Sequence, residues 1–92
     1  MARVTLELPR ILRDCTDGRS PIEVEADRLG TAFAAIRSRW PVLATHVFTE
    51  AGELRPHVLV LHNDRLVPRT PRPELPLAAG DRLTIVQAVS GG

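Results

Sequence analysis

Between residues 29 and 40, Leu29, Phe33, Ile36 and Trp40 follow one another at spacings of 4, 3 and 4. That stacks them on one face of an α-helix. Ala32 and Ala35 border the face and let it approach a sheet closely. Asp27 is placed to cap the helix start. Arg37 and Arg39 sit at the negative end of its dipole. Pro41 disfavours α geometry at Trp40, so the helix is expected to stop there, with Trp40 as a core plug. This is the one clear helical pattern in the chain. A single amphipathic helix covers one face of a sheet, so any sheet built around it has a second face to account for.

The rest of the patterning has a period of two. In residues 3–8, Val4, Leu6 and Leu8 alternate with Thr5 and Glu7, which reads as a half-buried strand. Pro9 ends it, and Asp17-Gly18 is a hairpin turn signal. Ile22 and Val24 then alternate with Glu23 and Glu25 in a second strand, so the chain is expected to open with a hairpin. Residues 42–56 give no clear pattern beyond a loop at 50–53. Residues 57–62 read as a third strand, Asn63-Asp64 as a tight turn, and Leu66 and Val67 as a short return strand. Prolines at 68, 71, 73 and 76 exclude regular structure through the next connection. Leu75 and Leu77 are expected to pin that connection to the core. Gly80-Asp81 is another turn, and residues 82–86 form a last strand, with Leu83 and Ile85 alternating with Arg82 and Thr84.

The first hairpin has a polar outer face, as one covering helix requires. The third strand does not. Val58 and Val60 point one way, Leu59 and Leu61 the other, and all four are apolar. Val86 adds to the uncovered side. Leu59, Leu61 and Val86 are therefore candidates for a partner's docking face. The alternative is that the proline-rich connection folds over them.

Composition removes several function classes. A chain of 92 residues suits one domain, here residues 1–88 followed by a flexible tail at 89–92. Net charge is +1, which favours neither nucleic acid nor an anionic membrane as partner. No stretch reaches the roughly 20 apolar residues a membrane helix needs, and no apolar run of signal-peptide length opens the chain. All 12 basic residues are arginine, so no side chain offers an amine for an isopeptide link. The lone cysteine, Cys15, rules out an internal disulfide and fits a reducing cytoplasm. It lies in a polar stretch beside Asp14 and Asp17, whose charges disfavour a thiolate. His57 and His62 are five apart on a strand and point to opposite faces, and His46 is isolated, so no shared metal site is expected. There is no Cys-x-x-Cys, no phosphate-cradling glycine loop and no Ser/His/Asp framework. The chain is not expected to be an enzyme by itself.

The last strand runs through Ala88 into Val89, Ser90, Gly91 and Gly92. Glycine costs the most entropy to order, so Gly-Gly is a poor structural element. It is well suited to threading into a narrow channel where a Cβ would collide. Its end is a free α-carboxylate with nothing bulky beside it.

The element order with these details resembles the ThiS/MoaD family of sulfur carriers, prokaryotic relatives of ubiquitin, over nearly the whole chain. The matching pieces are residues 30–36 in the helix, 40–43 after it, 52–58 leading into the third strand, Asn63, and 77–81 through 88–92. The combination of Leu-x-x-Gly-Asp, an apolar strand and a terminal Gly-Gly carries most of the likeness. Two positions depart from it: Gln87 stands where proline is expected in many members, and Ser90 where alanine is usual.

The resemblance implies an α+β, β-grasp (ubiquitin-like) fold, a mixed four- to five-stranded sheet on one main helix. It also implies that an E1-like adenylating enzyme of the MoeB/ThiF type uses ATP to adenylate the Gly92 carboxylate. Sulfur then replaces AMP to give a thiocarboxylate. A sulfur-accepting synthase takes the tail and passes the sulfur on, in cysteine, molybdopterin, thiamine or secondary-metabolite synthesis. The carrier itself binds no cofactor or metal. The competing readings are a ubiquitin-like modifier joined through Gly92 to target lysines, and a β-grasp interaction module that would tolerate loss of both glycines.

Overall fold

The computed structural model describes residues 2–68, 70 and 72–87. Strand β1 (Arg3–Glu7) buries Val4 and Leu6 and turns Thr5 and Glu7 outward. It pairs antiparallel with β2 (Ile22–Glu25), Val4 opposite Val24 and Leu6 opposite Ile22, so the alternations of the two strands share one buried face. The link between them is more than the expected turn. After Pro9 the chain winds into a 3-10 helix, Arg10–Thr16, that buries Leu12 and Thr16 at the end of the sheet. Asp17 (φ 56°) and Gly18 (φ 78°) close it in two left-handed steps, the conformation Asp-Gly tolerates best. Cys15 is half-buried against the core, not out in a polar stretch.

Helix α1 (Leu29–Arg39) buries Leu29, Ala32, Phe33 and Ile36, the face its spacing predicts. Each large side chain there contributes about 1.5–3 kcal/mol of transfer free energy. Its start differs from expectation. The N-cap is Arg28, without a side-chain cap, and the Asp27 carboxylate accepts the Ala2 N–H at 2.8 Å instead. The first helical N–H groups are met by the proline-rich connection. Leu29 N–H donates to Leu75 C=O at 2.9 Å and Gly30 N–H to Pro73 C=O at 3.0 Å. With those orphan donors satisfied by backbone, a capping side chain has little left to do.

Trp40 does end the helix, but it is half-buried and is not a sealed plug. Pro41 then opens a second helix, α2 (Pro41–Val47), in a stretch with no clear apolar period. Proline suits a first helical position because it has no N–H to satisfy. Leu43, Ala44 and Val47 are buried, and Phe48 beyond them meets Phe33 of α1 at 4.8 Å between ring centroids.

Strand β3 (Val58–His62) starts one residue later than expected and leaves His57 outside it. The turn at Asn63-Asp64 returns the chain as β4 (Arg65–Leu66). Leu77 is buried and Leu75 partly so, as their spacing among prolines suggests. Strand β5 (Arg82–Gln87) completes a sheet of order β2-β1-β5-β3-β4. It runs parallel to β1 and antiparallel to β3. Val4, Leu6, Val24, Val58, Val60, Leu83 and Ile85 form the sheet's inner layer, and α1 packs on it with α2 alongside. This is the mixed five-stranded α+β architecture expected from the sequence, with a second short helix added.

Candidate docking face and tail root

Residues 77–81 set where β5 begins. Leu77 is buried, and Gly80 takes φ 88°, open to glycine at no steric cost. Gly80 N–H donates to Arg3 C=O and Asp81 N–H to Ala78 C=O, both at 3.0 Å. Thr5 N–H donates to Asp81 C=O at 3.0 Å, which locks the turn to β1. The Asp81 side chain ties the turn to the β3–β4 corner. One oxygen lies 2.7 Å from His62 Nε2 and accepts the Ala78 N–H at 2.9 Å. The other accepts Asn63 Nδ2 at 3.4 Å. Asn63 in turn takes the Arg82 N–H at 3.0 Å. The Ala78 N–H first, then His62 and Asn63, hold the Asp81 carboxyl below the usual carboxylate range, against the opposing pull of burial. The clasp aims β5, and with it the root of the tail, between β1 and β3.

The face of the sheet away from the helices divides in two. Thr84 stands opposite Leu61 and Val86 opposite Leu59, while Leu61 faces Leu66 across the corner. Leu59, Leu61, Leu66 and Val86 therefore share one face. Leu66 is 62% exposed and Val86 36%. The half built from β1 and β2 carries Arg3, Thr5, Glu7, Glu23 and Glu25 instead. The structure thus brings together the three expected residues and adds Leu66, a member of the short return strand whose partner across the turn could have been read from the Asn63-Asp64 signal.

Among the described residues of the proline-rich connection, those whose backbones bond to another element run along the start of α1 and not over this face. Leu75, Pro73 and Leu77 bond to residues 27–30 at the start of α1, on the helix side. Val89, Ser90, Gly91 and Gly92 lie outside the described residues. The histidines do not converge: His57 and His46 are exposed, and His62 is held by Asp81. Among the described residues no group of three or more His, Cys, Asp or Glu is placed to hold a metal ion, and no helix is long and apolar enough to cross a membrane.

Known proteins resemble this chain along almost its full length. The ThiS family model matches residues 6–92. The sulfur carrier protein CysO of Mycobacterium tuberculosis is 29% identical over 91 residues, covering 97% of this chain and 98% of that protein. The crystal structure of the Amycolatopsis orientalis BexX/CysO complex includes a chain 30% identical with a TM-score of 0.82, over 97% of this chain and 99% of that one. SAMP1 from Haloferax volcanii is 30% identical with a TM-score of 0.78, over 99% and 100% respectively.

Proposed function

Since the chain belongs to the ThiS family, we propose that it is a sulfur carrier charged at the Gly92 carboxylate. The observation that carries this reading is an apolar quartet on one face of β3, β4 and β5, with Leu66 and Val86 exposed and Leu59 and Leu61 half-buried, on the strand that leads to the Gly-Gly end and its neighbours. A partner seated on that face lies beside Gln87, the end of β5, which the Gly-Gly end follows in sequence.

In the proposed cycle an E1-like enzyme of the MoeB/ThiF type binds ATP. A Gly92 carboxylate oxygen attacks the α-phosphate and pyrophosphate leaves. A carboxylate is a poor electrophile, and the acyl-adenylate supplies a leaving group. A sulfur donor displaces AMP and leaves a thiocarboxylate, a soft nucleophile like a thiolate. A synthase then accepts the tail and takes the sulfur into cysteine, molybdopterin, thiamine or a thio-metabolite. The chain's own part is a reactive end and a docking face; ATP is the activating enzyme's substrate, and no acid, base or metal of this chain takes part. Val89, Ser90 and Gly91 are the slim lead that enters the partner's channel.

The test is incubation with such an enzyme, ATP and a sulfur donor, followed by intact mass measurement. Replacement of one oxygen by sulfur at the C-terminus is expected, and none should occur once Gly92 is deleted.

A second reading, a protein modifier joined through Gly92 to lysines of targets, is favoured by the likeness to an archaeal small modifier protein. It would give heavier adducts on denaturing gels that survive thiol treatment, whereas the carrier reading gives none.

A further inference from the structure

On the side of β5 that faces β1, the ladder ends early. Glu7 is the last β1 residue in register, opposite Thr84. On the other side β3 accompanies β5 as far as Gln87. Thr5 N–H donates to Asp81 C=O, so the residues of the same parity, Leu83, Ile85 and Gln87, turn their backbone groups toward β1. Past Glu7 no strand of the described residues stands there. Leu8 has turned away, its N–H donating to Ser20 Oγ at 3.0 Å and its C=O accepting Arg13 Nε at 3.3 Å. The next position, whose N–H would meet Ile85 C=O in a continued parallel ladder, is Pro9, which has none. Ile85 C=O and Gln87 N–H therefore face a groove of about 500 Å³, walled by Leu8, Pro9, Arg13 and Pro21.

Two side chains at this groove also have unmet capacity. Gln87 Oε1 is buried and has no hydrogen-bond partner among the described residues. Arg13 engages Leu8 through Nε, and no carboxylate pairs with its two Nη groups among the described residues.

We infer that this groove receives an extended segment of the adenylating enzyme, bearing a carboxylate, added as a strand to the open edge of β5. The inference rests on the carrier reading. A backbone acceptor and a backbone donor two residues apart on one strand edge match the repeat of an extended chain. The two Nη groups of Arg13 select a carboxylate on that segment. Gln87 sets the preference. Proline, expected here by family resemblance, would offer no N–H and no side-chain amide, so the segment distinguishes this carrier from proline-bearing ones. Gln87 is thus a specificity-determining residue that touches the partner and takes no part in the chemistry.

The experiment uses the full chain and a MoeB/ThiF-type adenylating enzyme from the same genome, with ATP. It measures amide hydrogen exchange at Gln87, free and in complex, and the kcat and KM for pyrophosphate release. Exchange at Gln87 is expected to slow at least about tenfold on binding, the effect of gaining one hydrogen bond of ordinary strength. Gln87→Pro and Arg13→Glu should each raise KM about tenfold with kcat unchanged, and Gln87→Pro, which loses no ladder bond at the open edge, should also leave the thermal midpoint unchanged. Gln87→Ala, which keeps the N–H, should raise KM less. If the enzyme adenylates Gly92 while Gln87 exchanges equally fast in the complex, or Gln87→Pro keeps its KM, the edge is not used and the inference falls with the carrier reading intact. If the wild-type chain is neither bound nor adenylated, the carrier reading falls and takes this inference with it.

Discussion

Asp81 makes three contacts with one carboxylate, joining the Ala78 turn, the end of β3 and Asn63. Because the folded state holds this carboxyl below its ordinary range, its contribution is fully present above the unfolded value and is lost as pH falls through the lowered folded one. Asp81→Ala is therefore expected to lower stability by about 1–3 kcal/mol near pH 7, the cost of leaving donors unmet. The gap to wild type should narrow on acidification below about pH 4, where the unfolded carboxyl binds its proton. Denaturant melts at neutral and acidic pH check this, and a gap of equal size at both would remove the charged form from the account. The sequence marked Gly80-Asp81 as a turn, and the glycine's positive φ follows from that. It could not show that His62 closes the clasp, because the two residues are 19 positions apart and only the fold sets that distance.

At the level of elements, the strands and α1 were legible because each keeps its period for long enough to define a face. Helix α2 was not: its seven residues span two turns, and its opening proline reads equally as a stop and as a start. The 3-10 helix was hidden for a related reason, since Arg10, Arg13 and Asp14 surround Leu12 and blur any apolar stripe. The cap of α1 shows the proline-rich connection acting as structure. A Cβ on Gly30 would meet Pro73 Cβ at 2.8 Å. Helix propensity alone would make Gly30→Ala stabilising by up to about 1 kcal/mol. Overpacking against the connection, typically about 1–3 kcal/mol, opposes it and disturbs the bonds to Pro73 and Leu75. A net loss of thermal midpoint is expected in a calorimetric scan; a gain would mean that the connection yields freely.

At the scale of the molecule, the candidate docking face was partly legible. Four consecutive apolar residues in one strand cannot all face a single helix layer, which identified Leu59 and Leu61, and Val86 follows from its place on the last strand. Leu66 was missed because a two-residue strand has no period, although on the edge strand opposite Leu61 it is the most exposed of the four. Leu66→Asp combined with Val86→Asp should raise the KM for adenylation at least about tenfold, as loss of apolar anchors does. Leu66, 62% exposed, should add little to any loss of thermal stability, and Val86, 36% exposed and paired with Leu59, should account for most of it. Steady-state pyrophosphate assays and melts read the two effects separately. Deletion of Gly92 is expected to do the reverse of a folding mutation: thiocarboxylate formation is abolished while the melt stays within about 0.5 kcal/mol.

The strand order has a consequence for how the molecule is made. Strands β1 and β2 form one hairpin and β3 and β4 another, and β5 alone joins them. As the chain leaves the ribosome, both hairpins emerge before the piece that unites them, and Thr84 must find Glu7 across 77 positions. Such distant pairing is the slow part of assembly. A half-made or misassembled copy lacks the completed β5 that precedes its final residues in sequence, so closing the sheet and readying the C-terminus for any partner that reads the fold become a single event.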